Sequence, residues 1–306
     1  MIWAALATVY IVWGSTYLAI RVMVETMPPL LAAGVRFAIA GAVFIAVLAA
    51  KDGVRRVRIG RRELGGAALM GLLLPFGGNG LVTVGEQVVP SGMAALIIGS
   101  VPLWVILLRS AHRDRPPSAT FAGVLVGFTG LAILVLPGHR PGGAPLWGVL
   151  VCVAAAVSWA TGSFYARRLP LPDDAFASTA WQMLLGGAMM VAVGLVAGEG
   201  GDVHPGRFSL DSVLALIYLI TIGGLLAYTA YNWLLKNAPI STVATYAYVN
   251  PVIAIVLGWA ILSEEVTSTV IVGATAIVLS VAAVVRTESA PTPARTRRRL
   301  SLREAP

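Results

Sequence analysis

Residues 2 to 23 read IWAALATVYIVWGSTYLAIRVM, a stretch whose one charge is Arg21. A helix needs about 20 consecutive apolar residues to cross a hydrocarbon core about 30 Å thick, so this segment is long enough to span a membrane. No basic region precedes it and no small-residue cleavage site closes it. It is therefore expected to persist as the first helix and not to be removed as a signal peptide.

The same ruler, moved outward, finds nine further runs, near residues 30–50, 65–84, 91–110, 118–136, 146–166, 175–197, 212–235, 240–262 and 266–285. Between them stand helix breakers: Pro28-Pro29, Pro90, Pro116-Pro117, the stretch from Pro137 to Pro145, Pro170 to Pro172, and Pro239. Composition agrees. With 58% hydrophobic and 12% charged residues and a mean hydropathy of +0.84, the chain cannot cover itself with the charged exterior of a soluble domain. Alternating ten-residue strands are missing, which favours bundled helices over an outer-membrane barrel, because either must satisfy its backbone polar groups internally. The expected fold class is an all-α integral membrane protein with ten transmembrane helices, and its first partner is the lipid bilayer.

A net charge of +8 would point to nucleic acid in a soluble protein. Here the basic residues lie where membrane topology puts them. Lys51, Arg55, Arg56, Arg58, Arg61 and Arg62 follow the second run, Arg109, Arg113 and Arg115 the fourth, Arg167 and Arg168 the sixth, and Lys236 the eighth. Six more arginines fall from Arg286 onward, while the opposite side holds Arg140 and Arg207. Basic residues resist translocation, so both termini are expected in the cytoplasm and the chain in the cytoplasmic membrane, with no nucleic-acid partner. Residues 286–306 have no apolar face to bury and are expected to be a disordered basic tail.

The two halves echo each other. Trp13-Gly14-Ser15-Thr16-Tyr17 is followed by Arg21 eight residues after the Trp, and Trp159-Ala160-Thr161-Gly162-Ser163 by Arg167 at the same spacing. Pro90 and Pro102 are twelve apart, as are Pro239 and Pro251. An odd number of helices per half inverts one half against the other. The expected domains are residues 1–136, a linker at 137–145, and residues 146–285, related by an axis in the membrane plane as in many secondary transporters.

These residues carry a family resemblance. Ile11 to Tyr17, Pro28-Pro29 with Ala33-Gly34-Val35-Arg36-Phe37, Gly78-Asn79-Gly80 with Val82-Thr83-Val84 and Glu86, and Pro90-Ser91-Gly92 are similar to the EamA branch of the drug/metabolite transporter superfamily. So are Val101-Pro102-Leu103, Ser158-Trp159 with Gly162-Ser163, and Thr245 to Val252, and the set resembles the YedA-type exporters within that branch. The resemblance implies ten helices in two inverted repeats, and export of a small metabolite, amino acids among them, through a central cavity. It also implies an acidic residue after the fourth helix of each repeat. Glu264 supplies it in the second, whereas Arg115 stands in its place in the first.

Charged groups inside a membrane are costly and face a cavity or a partner, which singles out Arg36. It could pair with Glu86 or meet an anionic substrate group, and its counterpart 146 residues on is the neutral Gln182. Asn79 and Thr83 share a helix face, with Tyr228 and Asn232 as counterparts, and serve either a wet pathway or interhelical bonding. Tyr246 and Asn250 precede Pro251. That proline and Pro102 are expected helix breaks, which free carbonyls or merely kink. Trp13 and Trp159, away from the interfacial belts, either pack on substrate or fill the core. Ser15, Tyr17 and Ser163 complete the candidate pathway. Gly77-Gly78, Gly186-Gly187, Gly223-Gly224 and Pro75 allow close packing or bending.

No enzyme is expected. His112, His139 and His204 form no metal-binding pair, the single Cys152 sits in an apolar run, and no phosphate-binding loop for a nucleotide exists. No cofactor or metal follows from any motif. A secondary transporter of a small-molecule substrate is the expectation, with protons as a possible coupling ion; a channel or facilitator, or a membrane scaffold or sensor, is the alternative.

Overall fold

In a computed structural model, the residues described are 1–112, 118–135, 143–238, 240–243 and 245–289. Arg113, Arg115, His139, Arg140, Pro239, most of the 137–145 linker and the tail from residue 290 lie outside them. The described residues are helical and contain no strand.

Among the described residues, eight helices are long and apolar enough to cross a membrane: α1 (Ile2–Met23), α2 (Pro29–Asp52), α3 (Arg61–Gly85), α4 (Ser91–Ala111), α6 (Leu146–Tyr165), α7 (Ala175–Val196), α8 (Leu210–Leu234) and α10 (Ser268–Thr287). Two shorter apolar helices join them, α5 (Thr120–Val135) and α9 (Tyr246–Leu262). The bundle is apolar outside as well as inside. Leu125 (69% exposed), Trp259 (62%) and Leu279 (63%) stand on its surface, an arrangement suited to lipid contact.

Several boundaries differ from the sequence expectation. α3 begins at Arg61 because Glu63 accepts a hydrogen bond from the Gly60 N–H at 2.7 Å and caps the polar first turn. The run expected at 240–262 is divided into a short helix, Ile240–Val243, and α9. The last helix continues through Ser289, past the expected start of the tail at Arg286. Hydropathy falls at Arg286, but no helix breaker occurs before Pro291. Of the two expected breaks, Pro102 lies just past an interruption at Ser100, between Ser91–Gly99 and Val101–Ala111. Pro251 does not break α9; it lies inside it.

One feature is absent from the sequence reading. α3 and α8 each contain a widened π-helical segment, Leu72–Gly80 and Leu219–Leu226. These hold Pro75, Gly77-Gly78 and Gly223-Gly224. Such segments inside α-helices occur frequently at functional sites.

Packing is dominated by α2 on α7 and α5 on α10; α1 lies on α8 and α9, α6 on α3 and α4, α4 on α9, α8 on α2 and α3 on α7. The α2 and α7 backbones nearly touch. A Cβ on Gly34 would stand 2.8 Å from the Gly187 carbonyl oxygen, and one on Gly41 2.5 Å from the Leu184 nitrogen. Small residues at such crossings are how helices associate in lipid, where no hydrophobic force drives them together.

The start of α7 is tied to the loop after α2. Asp174 Oδ1 accepts from the Phe176 and Ala177 N–H groups at 2.9 and 3.0 Å, and Oδ2 accepts from Arg56 Nε and Nη2 at 3.0 and 2.8 Å. Partial burial would raise this carboxyl's pKa, but the Ala177 and Phe176 N–H groups and the Arg56 guanidinium outweigh it and hold it below the ordinary value of 3.8. Because the folded value is lowered, the stabilisation is present above 3.8 and is lost as pH falls through the folded value. Asp174→Ala should remove the cap and lower stability by about 1 kcal/mol at neutral pH, with the difference from wild type vanishing in acid. Thermal unfolding in detergent at two pH values checks this.

Candidate functional site: an aromatic cavity with one cation

A cavity of about 140 Å³ lies at the meeting of α1, α2, α3, α4, α6, α8 and α9. α1 offers one face to it, Trp13, Thr16, Tyr17 and Ile20, at spacings of three and four residues. α2 contributes Arg36, Phe37 and Ala40. The widened segments of α3 and α8 contribute Gly78, Asn79, Leu219, Gly223 and Gly224, with Val82 and Tyr228 one turn beyond. Ile98, Val101 and Pro102 come from α4, Trp159 from α6, and Tyr246, Ala247 and Asn250 from α9. Trp159 fits against α3 because position 78 has no side chain; a Cβ there would overlap the indole.

The aromatic groups are organised. Trp13 is packed by Tyr228, Tyr231 and Tyr246, with ring centroids 5.2, 5.0 and 5.3 Å away, the first and third edge to face. Nearby, the Tyr10 and Thr245 hydroxyls are hydrogen-bonded to each other. Pro251 has no N–H to give to the Ala247 carbonyl, so a backbone acceptor on a cavity residue is released from its helix. Asn250 is satisfied when its amide N–H groups are turned to the Tyr10 and Tyr246 carbonyls, each at 3.3 Å.

Arg36 is the one charged residue in the lining. It is 5% exposed, its Nη2 donates to Asn79 Oδ1 at 3.2 Å, and its guanidinium carbon lies 4.5 Å from the Phe37 ring centroid. Its Nη1 has no hydrogen-bond partner. Glu86 does not pair with it. That carboxylate is fully buried outside the lining, and both of its oxygens lack partners.

The candidate pathway thus divides. Trp13, Tyr17, Arg36, Asn79, Pro102, Trp159, Tyr228, Tyr246 and Asn250 meet at the cavity. The others do not line it, each for a local reason. Ser15 bonds the Tyr218 hydroxyl at 2.6 Å, Thr83 the Asn79 carbonyl at 2.8 Å, Gln182 the Ser178 hydroxyl at 2.9 Å, and Asn232 the Tyr228 carbonyl at 2.9 Å. Ser163 is exposed on the outside of α6, and Pro251 is buried against Gly99 of α4. Thr16, Ile20, Phe37, Ile98, Gly78, Gly223 and Gly224 also line the cavity, where the sequence alone does not place them. The recurrence of Gly-Gly in α3 and α8, 146 residues apart, was the available signal.

The end of the bundle where α1 stops and α2 begins is tightly latched. Glu199 accepts from the Leu30 and Leu31 N–H groups at 3.2 and 2.8 Å. Glu264 accepts from the Ser91 N–H, the Ser91 hydroxyl and the Gly92 N–H at 2.7, 3.0 and 3.2 Å. Both carboxylates thereby cap helix N-termini, where negative charge is favoured. Arg21 donates to the Glu86 and Gln87 carbonyls, and the Ser212 hydroxyl to the Val22 carbonyl at 2.7 Å.

The EamA-like transporter family matches residues 1–136 and again 146–286. This chain belongs to that family. It is 39% identical over 258 residues to the uncharacterized inner membrane transporter YedA of Escherichia coli K12, covering 84% of this chain and 81% of YedA. It is 25% identical over 279 residues to a probable amino-acid metabolite efflux pump of Salmonella typhimurium, covering 88% and 89%. A solved structure described as the crystal structure of a protein shares the fold at a TM-score of 0.62 and 22% identity, covering 92% of this chain and 96% of its own. The EamA protein described here is therefore a membrane-spanning transporter that works in a lipid bilayer on a small-molecule substrate.

Proposed function

We propose that this EamA protein is a secondary transporter that carries a small carboxylate-bearing metabolite outward across the cytoplasmic membrane by alternating access. Arg36 carries the reading. A buried guanidinium with a free Nη1, set among aromatic rings, suits a ligand with one anionic group and an apolar or aromatic body. Outward movement of an amino acid is supported by the Salmonella relative's name.

The architecture proposed is ten crossings in two inverted halves, residues 1–136 and 146–285, with both termini cytoplasmic. Packing supports the halves. Exchanging each helix for the one five places on turns α1 on α9 into α6 on α4, α1 on α8 into α6 on α3, and α2 on α8 into α7 on α3, all of which are in contact. The two π segments and the double family match follow the same exchange. The basic-residue bias supports the orientation.

A thermal-shift screen of purified protein against amino acids, aryl carboxylates, nucleosides and cationic drugs tests the substrate class. A ligand at 100 times its Kd raises apparent stability by about 2.7 kcal/mol. Carboxylates should stabilise and should then move, as radiolabelled compounds, across proteoliposome membranes. Stabilisation by cationic drugs alone would remove the carboxylate reading, and binding without flux would remove transport.

A further inference from the structure

Glu86 is the residue on which α3 ends, directly after Gly85, and its N–H donates at 2.8 Å to the carbonyl of Val82, a residue of the cavity lining. It is nevertheless sealed from the cavity, at 0% exposure, with neither carboxylate oxygen hydrogen-bonded.

The charged and titratable groups whose fields reach it are Tyr17 and Arg21 of α1, Arg36 of α2, Cys152 of α6, and Glu264 after α9. The two arginines attract a negative charge but touch neither oxygen. Arg21 is engaged by the Glu86 and Gln87 carbonyls, and Arg36 by Asn79. Glu264, the nearby acid, is held in place by the α4 N-terminus and repels a second carboxylate. An ionised carboxylate taken out of water without hydrogen bonds is strongly disfavoured. A bound metal ion does not resolve it, since hard cations take about six oxygen ligands and no cluster of three acidic, His or Cys groups occurs among the described residues.

We propose that Glu86 is a proton-binding site: it holds a proton while the Pro28 end of the cavity is latched, and releases that proton to water when the end opens. The proton leaves a carboxyl oxygen as the latches of Arg21 and Glu264 part, and is regained from water before they close. The role as a coupling site rests on the transport reading of the cavity; protonation and opening do not. Linkage fixes the sign. The closed form holds one more proton than the open form, so raising pH favours opening, by up to about tenfold per pH unit.

Two measurements test this without a known substrate. The first is infrared titration of the wild-type protein carrying carbon-13 glutamate, read at about pH 7, where exposed glutamates are ionised. A protonated-carboxyl band should be present and should disappear in Glu86→Gln; no such band in the wild type would overturn the proposal, whether or not the variant folds. The second uses Cys152, the chain's single cysteine, which a Cβ on Gly85 would overlap. Its maleimide labelling between about pH 6 and about pH 8 should rise more steeply in wild type than in Glu86→Gln, by up to about tenfold per unit beyond the thiol's own ionisation. Parallel profiles would overturn the opening step. Flux that fails with both of these results intact would count against transport alone.

Discussion

Arg36→Gln is expected to reduce transport of a carboxylate substrate by about 10- to 100-fold in kcat/KM, the equivalent of one hydrogen bond to a charged group at about 1.5–3 kcal/mol. Folding should survive it. Gln stays polar and removes a buried charge whose Nη1 finds no partner, so the unfolding temperature should hold or rise. The structural alternative gives the opposite pattern. If Arg36 served chiefly as half of a buried ion pair with Glu86, breaking the pair would lower stability by about 3–5 kcal/mol. Flux in proteoliposomes and unfolding of the same sample separate the two. Normal flux with a stability loss of that size would take Arg36 out of the pathway.

Arg36 also shows how far the sequence alone reached. Its depth in an apolar run marked it as a charge needing company, and that inference required no coordinates. The partner did. Asn79 on α3 and Glu86 just past its end lie seven residues apart, and whether the guanidinium meets one or the other depends on how α3 is wound. A π segment at Leu72–Gly80 rotates the residues beyond it relative to an ordinary helix, and hydropathy does not register such a change. Thr83 shares the expected face with Asn79 yet turns back to its carbonyl, the local bond that threonines make to the preceding turn in ordinary helices such as at Thr129 and Thr179. Apolar lining residues such as Ile20 and Ile98 were illegible for a different reason. In a membrane protein the core, the cavity and the lipid face are all apolar, so composition does not tell them apart. The ends of the helices were read less well than their middles, because hydropathy follows the bilayer while caps such as Glu63 and Glu199 follow hydrogen bonds.

Gly41→Leu should damage the bundle severely, with a stability loss of about 3 kcal/mol, at the top of the range for overpacking. The clash is with backbone. A Cβ at position 41 would meet the Leu184 nitrogen at 2.5 Å and the Ala180 carbonyl oxygen at 2.7 Å, and neither can rotate away. Gly34 and Gly41 on α2 face Gly187 and Ala180 on α7, each pair seven residues apart along its own helix, so the whole crossing must widen. Gly65→Ala is the control. Nothing lies within 4 Å of a Cβ there, and it should be neutral or stabilise α3 by up to about 1 kcal/mol. The consequence extends to the site, because Phe37 and Ala40 of α2 line the cavity beside Arg36 and also share a core cluster with Ala180, Met183 and Met190 of α7, which itself contributes nothing to the lining. α7 acts as the backing that sets the depth of the cation. Gly41→Leu should therefore lower both the unfolding temperature in detergent and the affinity for carboxylates in the protein that remains folded. Lost stability with unchanged affinity would mean that α2 holds its place without α7.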